Sequence, residues 1–210
     1  MAIINTPGKH ALSRRGVLSG ALLVTGALLA TRPAHAAAAG DGLNPRLLEL
    51  ARTAFNRHAA QISNKALVAI ADYGLHSARP RFFLFEPDTG KTTALRVAHG
   101  RGSDPAHTGF LQRFSGQPGS AASSEGAYLA GDIYVGQHGR SRRLIGLDPQ
   151  NSSAEARAIV IHGAWYCEPG VLQQTGKLGR SEGCFAFSAT DAALVLARLP
   201  AGSLLYSNRA

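Results

Sequence analysis

The chain has 210 residues, 45% hydrophobic and 17% charged, with 22 Lys and Arg against 13 Asp and Glu for a formal net charge of +9. Four of the basic residues, Lys9, Arg14, Arg15 and Arg32, fall within the first 36 residues, so residues 37–210 carry 18 basic against 13 acidic groups, a net of +5. The remaining positive charge is scattered except at Arg140, Arg142 and Arg143, which read as a solvated loop; no aromatic residues interleave with them, which excludes a nucleic-acid groove.

Residues 1–36 hold no acidic side chain, an apolar stretch from Gly16 to Ala30 and an Ala34-His35-Ala36 ending, the pattern of an export signal cleaved after Ala36. Ser13-Arg14-Arg15-Gly16-Val17-Leu18 resembles the twin-arginine export motif. The apolar run of about 15 residues is shorter than the roughly 20 that span a bilayer, so no stable membrane insertion is expected once the signal is removed. The expectation is a periplasmic protein whose residues 37–210 form one domain with a normal core.

Asn44-Pro45 reads as a helix start, and Leu47, Leu48, Ala51, Ala54, Phe55, His58, Ala59 and Ile62 follow at helical spacing. From Ala66 the period changes: Leu67–Ala71, Arg81–Phe85 and Thr92–Val97 read as strands, with Pro87-Asp88-Thr89-Gly90 as a hairpin turn. Gly100 to Gly126 is rich in Gly, Ser and Pro without apolar periodicity and reads as a long ordered loop. Short strands are expected at Tyr128–Gly131, Ile133–Val135 and Arg143–Leu147. A last helix capped by Ser188 runs through Leu199, and Ser203–Tyr206 forms a closing strand. The sum is a mainly β domain with terminal helices, an α+β class.

The chemistry concentrates in two segments. The apolar run Ala158–Ile161 reads as a buried strand delivering His162-Gly163, and Gly179-Arg180-Ser181-Glu182-Gly183-Cys184 as a turn delivering Cys184 to a strand at Phe185–Phe187. Two adjacent strand ends would bring sulfur and imidazole within hydrogen-bond reach, directly or by a side-chain rotation. A thiol attacks as the thiolate, and an imidazole can take its proton. Gly183 frees the backbone to approach a substrate, and the amides of Gly183 and Cys184 are candidates for an oxyanion hole. The alternative reading is a small buried cysteine beside a structural histidine.

His162-Gly163 followed by Ser-x-Gly-Cys resembles the catalytic motif of the L,D-transpeptidases of bacterial peptidoglycan. Arg157 to Ala164 with Gly-Arg-Ser-Glu-Gly-Cys is more closely similar to the murein L,D-transpeptidase catalytic domain branch. The resemblance covers about Leu67 to Phe187, including Val97–Ser103, Pro118-Gly119-Ser120, Ser123–Gly126 and Gly136–Gly139. It departs at Glu182, where the superfamily usually carries His and this branch commonly Trp. The resemblance implies a β-sandwich of the L,D-transpeptidase catalytic-domain kind and a cysteine acyltransferase acting on peptidoglycan stem peptides. Cys184 would be the nucleophile and His162 the base. It also implies that Cys184 works reduced.

Around this pair, Arg180 and Ser181 are candidates for substrate contact, Arg180 equally for tying down its loop. His138 reads either as a substrate-channel residue or a turn histidine. Gly163 and Trp165, with Tyr166, could line the acyl-donor pocket, or the aromatics could be ordinary core. His99 reads as structural. Cys167 is either buried or a redox partner of Cys184. His162, Cys167 and Cys184 lack paired zinc-ligand spacing, and neither a phosphate loop nor a dinucleotide fingerprint is present, so no metal and no cofactor is expected. Transfer to water instead of an amine, a peptidoglycan carboxypeptidase or amidase, uses the same residues, and a catalytically silent wall-binding module keeps the same fold. The oligomeric state is left open.

Overall fold

The computed structural model describes residues 42–210; the expected export signal lies outside the described residues. Helix α1, Pro45–Arg57, begins as its sequence dictates: the Asn44 side chain accepts the Arg46 N–H at 2.9 Å, and Pro45 occupies the first turn, where no N–H is needed. The apolar spacing continues to Ile62, yet the helix stops at His58, whose imidazole turns inward onto Asp148 at 2.8 Å. Ile62 is buried beyond the helix end.

Eight strands among the described residues form one mixed sheet: β1 (Val68–Asp72), β2 (Phe82–Phe85), β3 (Thr92–Leu95), β4 (Gly126–Gly136), β5 (Gly139–Gly146), β6 (Val160–Gly163), β7 (Phe185–Phe187) and β8 (Leu204–Asn208). Their order is β3-β2-β1-β8-β4-β5-β6-β7. Two pairs are parallel, β1 with β8 and β6 with β7. With helices α2 (Pro169–Thr175) and α3 (Ala189–Arg198) this is the mainly β domain with helices that the sequence predicts.

The sheet folds over so that its far ends meet. Past β3, Ala98 bridges Ala186 on β7 and Gly100 bridges Ser181. The Phe82 ring on β2 packs edge-on against Phe187 on β7, centroids 4.9 Å apart. The enclosed core takes the inward set of each strand, Ala69, Phe82, Leu84, Tyr128, Leu144, Phe185 and Leu205, together with Val195 and Leu196 of α3. On the outer face, Leu47, Leu48, Ala51 and Ala54 of α1 cover Val68, Ile70, Phe83 and Leu204. Burial of this apolar stripe anchors α1.

Three sequence expectations change. The two short strands at Tyr128–Gly131 and Ile133–Val135 are one strand, β4, with a register shift between Ala130 and Ile133. Arg140, Arg142 and Arg143 sit on β5 and form no loop. The buried Arg142 donates to Gly131 O at 2.6 Å in the irregular stretch of β4 and to Leu196 O at 3.2 Å in the last turn of α3, while Arg143 stacks on Tyr134 at 4.3 Å. A guanidinium satisfies the carbonyls that a bulge and a helix C-terminus leave unpaired. The last strand, β8, lies in the middle of the sheet between β1 and β4.

Candidate active site

Strands β6 and β7 run parallel with His162 opposite Ala186 and Ile161 opposite Phe185. Both strands are buried except at Gly163, which the apolar Val160, Ile161 and Phe185–Phe187 permit. The turn before β7 is fixed from within: Ser181 Oγ donates to Cys184 O at 2.7 Å and accepts the Gly183 N–H at 3.1 Å. Gly183 has φ +117, and a Cβ there would lie 2.6 Å from Ala122 O, so the position excludes a side chain both conformationally and sterically. Ser181 therefore acts on the shape of the turn, and the Gly183 amide is engaged by Ser181 Oγ in this conformation.

Cys184 and His162 line one cavity of about 270 Å³ with Gln137, His138, Arg157, Ala158, Tyr166, Arg180, Ser181 and Glu182. The Cys184 thiol donates to Ala158 O at 3.5 Å. His162 Nδ1 lies 2.9 Å from Gly163 O, and since a carbonyl only accepts, Nδ1 carries the proton and Nε2 keeps its lone pair. Gly163 thus enters the site through its backbone. Burial lowers the His162 pKa from its ordinary 6.5; the Gly163 carbonyl opposes this and His138 reinforces it. Burial likewise raises the Cys184 thiol, against hydrogen bonding from Val160 and the charge of Arg157. Both shifts favour the neutral thiol and the neutral imidazole.

His138, at the tip of the β4–β5 hairpin, stacks on His162 with ring centroids 4.2 Å apart and planes 20° from parallel. Arg180 lines the cavity while its Nη1 donates to Asp104 O and, at 3.1 Å, to Pro105 O, so it ties the long loop to the Cys184 turn. Trp165 is 76% exposed and outside the cavity lining; its neighbour Tyr166 is the aromatic in the wall. The exposed Glu182 pairs with Arg101 at 2.9 Å. Cys167 is a free, buried thiol bonded to Ala186 O at 3.4 Å, its pKa pushed up by burial to about 12, and no disulfide joins it to Cys184, which is also free. Its surroundings are Ala98, Leu178 and Ala186. Among the described residues no group of three or more His, Cys, Asp or Glu is placed to hold a metal ion.

Behind the long loop sits His99, read as structural from its glycines. Its Nδ1 accepts from the fully buried Arg81 at 2.8 Å and its Nε2 faces Asp104 at 3.3 Å. Asp104 also accepts the N–H groups of Thr108 and Gly109, both at 2.8 Å. Arg157, in contrast, is marked in the sequence only as the first residue of the segment Arg157 to Ala164 that carries the resemblance, since nothing in a sequence says that its side chain folds under a loop 35 to 42 residues earlier.

The family described as L,D-transpeptidase catalytic domain matches residues 39–208. The chain belongs to that family. Among solved structures it is similar to an L,D-transpeptidase from Mycobacterium tuberculosis H37Rv (15% identity, TM-score 0.44, covering 69% of this chain and 58% of that one). Others are the L,D-transpeptidase from Mycobacterium smegmatis (13%, 0.42, 68% and 58%) and one from Xylanimonas cellulosilytica (13%, 0.42, 70% and 62%). The chain thus spans about six tenths of the length of these relatives. No curated protein matches it.

Proposed function

We propose that the protein is a peptidoglycan L,D-transpeptidase working through a Cys184 thioester outside the cytoplasm. The family membership supports the reaction class. The observation that carries the assignment of roles is that Cys184 and a His162 with its Nε2 lone pair available line one cavity. The export pattern of residues 1–36 supports the compartment, and no helix among the described residues is long and apolar enough to cross a membrane.

In the reaction, the Cys184 thiol turns from Ala158 O, gives its proton to His162 Nε2, and the sulfur attacks the carbonyl between the L-centre and the D-residue of a stem tetrapeptide. The oxyanion that forms is held by the Cys184 amide, joined by that of Gly183 once it leaves Ser181 Oγ. The His162 imidazolium returns the proton to the departing D-amino acid, leaving an acyl thioester. An acceptor amine then loses a proton to His162 and takes the acyl group, which regenerates the thiol. His138 holds the imidazole plane by stacking, and Arg180, which lines the cavity, is the candidate partner of a substrate carboxylate.

Products made from purified wall fragments test this reading. Dimeric muropeptides, absent with Cys184→Ala, are expected. Trimmed monomers alone would reassign the enzyme as a carboxypeptidase, and no product at all would leave the wall-binding module.

A further inference from the structure

Arg157 stands against the Cys184 turn without a carboxylate partner. Its Nη1 donates to Ser115 O at 2.9 Å and its Nη2 to Ala122 O at 2.5 Å, both neutral carbonyls of the long loop. Every ion pair among the described residues involves other groups. The side chain is half-buried and lines the cavity with Cys184, and its Nη2 would lie 2.8 Å from a Cβ placed on Gly183. A cation partly withdrawn from water gains from an anion nearby. The ionisable groups that act on it are Tyr128 and Cys184. Burial pushes the Tyr128 phenol up to about 12, so it stays neutral near pH 7 and cannot be that anion. The next residue, Ala158, adopts a left-handed backbone at φ 52 and aims its carbonyl at the Cys184 thiol. Strain of this kind in a non-glycine residue persists where the surroundings impose it.

We propose that Arg157 is the fixed positive charge that balances the Cys184 thiolate, a role that rests on Cys184 being the nucleophile. When the proton moves from Sγ to His162 Nε2, a thiolate and an imidazolium replace two neutral groups in a half-buried site. The guanidinium, already held by two loop carbonyls, offsets the cost of the new negative charge without reorganising. The other charged or titratable groups facing the sulfur are Glu182 and Arg180 from its own turn, His162 from β6 with His138 stacked on it, and Tyr166 from the 3-10 turn Trp165–Cys167. The buried phenols of Tyr73 and Tyr128 lie behind it. Glu182 opposes the thiolate but is exposed and paired with Arg101, so Arg157 dominates.

The test is the pH dependence of Cys184 alkylation by iodoacetamide in the purified protein, with the modified residue located by peptide mass mapping, since only the thiolate reacts. Arg157→Gln is expected to raise the midpoint by about one pH unit and slow alkylation at pH 7 about tenfold. Arg157→Lys keeps the charge but cannot bridge both carbonyls, so its midpoint stays near wild type even where its melting temperature falls. A folded Arg157→Gln titrating like wild type, or an Arg157→Lys midpoint displaced by a full unit, overturns the proposal. Should Arg157→Gln not fold, the Lys midpoint decides alone. Failure of Cys184 as nucleophile would show separately, as turnover retained by Cys184→Ala.

Discussion

At the scale of single residues, the turn before Cys184 depends on one absent side chain. Gly183→Ala places a Cβ 2.6 Å from Ala122 O and 2.8 Å from Arg157 Nη2 at a φ of +117. Strain of this kind costs about 1–3 kcal/mol, and relieving it must move Cys184 or the Arg157 tether. Gly183→Ala is therefore expected to lose about 2 kcal/mol in urea unfolding and at least about tenfold in turnover; unaltered stability and turnover would show that the turn tolerates a side chain. That Cys184 and His162 meet at one cavity was legible because a thiol, an imidazole and flanking glycines within two short segments form a pattern rare by chance. Arg157 was not, because its meaning comes from burial under residues 115 and 122, far away in sequence. Trp165 drew attention, with Tyr166, by following His162 closely in sequence, whereas which of two adjacent aromatics faces a cavity depends on the pitch of the 3-10 turn.

Among elements, the long loop from Gly100 to Gly126 was legible as ordered but not why. Its order comes from the chain Arg81–His99–Asp104 and from the loop backbone bonded to Asp104. Burial and the neighbouring Arg81 push the His99 pKa from 6.5 down to about 3. The unfolded chain thus binds a proton that the folded one refuses. This contribution to stability is full above pH 6.5 and is lost as pH falls toward 3, at up to about 1.4 kcal/mol per pH unit. His162, also lowered, adds in the same direction.

Arg81→Met removes the guanidinium and leaves His99 Nδ1, Leu75 O and Val97 O without a donor. A loss of about 3 kcal/mol at pH 7 is expected, together with a shallower decline between pH 6.5 and 4, because His99 then accepts a proton more readily. Urea unfolding at several pH values measures both, and an unchanged acid slope would remove Arg81 from the account. The start of helix α1 was legible in Asn44-Pro45. Its end was not, because His58 leaves the helix for Asp148, a partner on another element.

At the scale of the whole molecule, the strands could be read from their period, but their order could not. β8 looked like a closing strand because it comes last, yet it joins the two halves of the sheet between β1 and β4. Only its fully apolar Leu204-Leu205-Tyr206 hints at a central place. The Cys184 turn, the end of β6 and the β4–β5 hairpin surround one cavity, and the long loop holds two of its lining residues, Arg157 and Arg180, by its carbonyls. That assembly is the basis for assigning an acyl transfer to this fold. Its most direct test is the intact mass of the purified protein after mixing with a stem tetrapeptide. The account predicts a mass gain equal to the tetrapeptide minus the free D-amino acid released, mapped to Cys184, cleared by an acceptor amine and absent from Cys184→Ala. Turnover without any adduct, or an adduct that persists in Cys184→Ala, would contradict it.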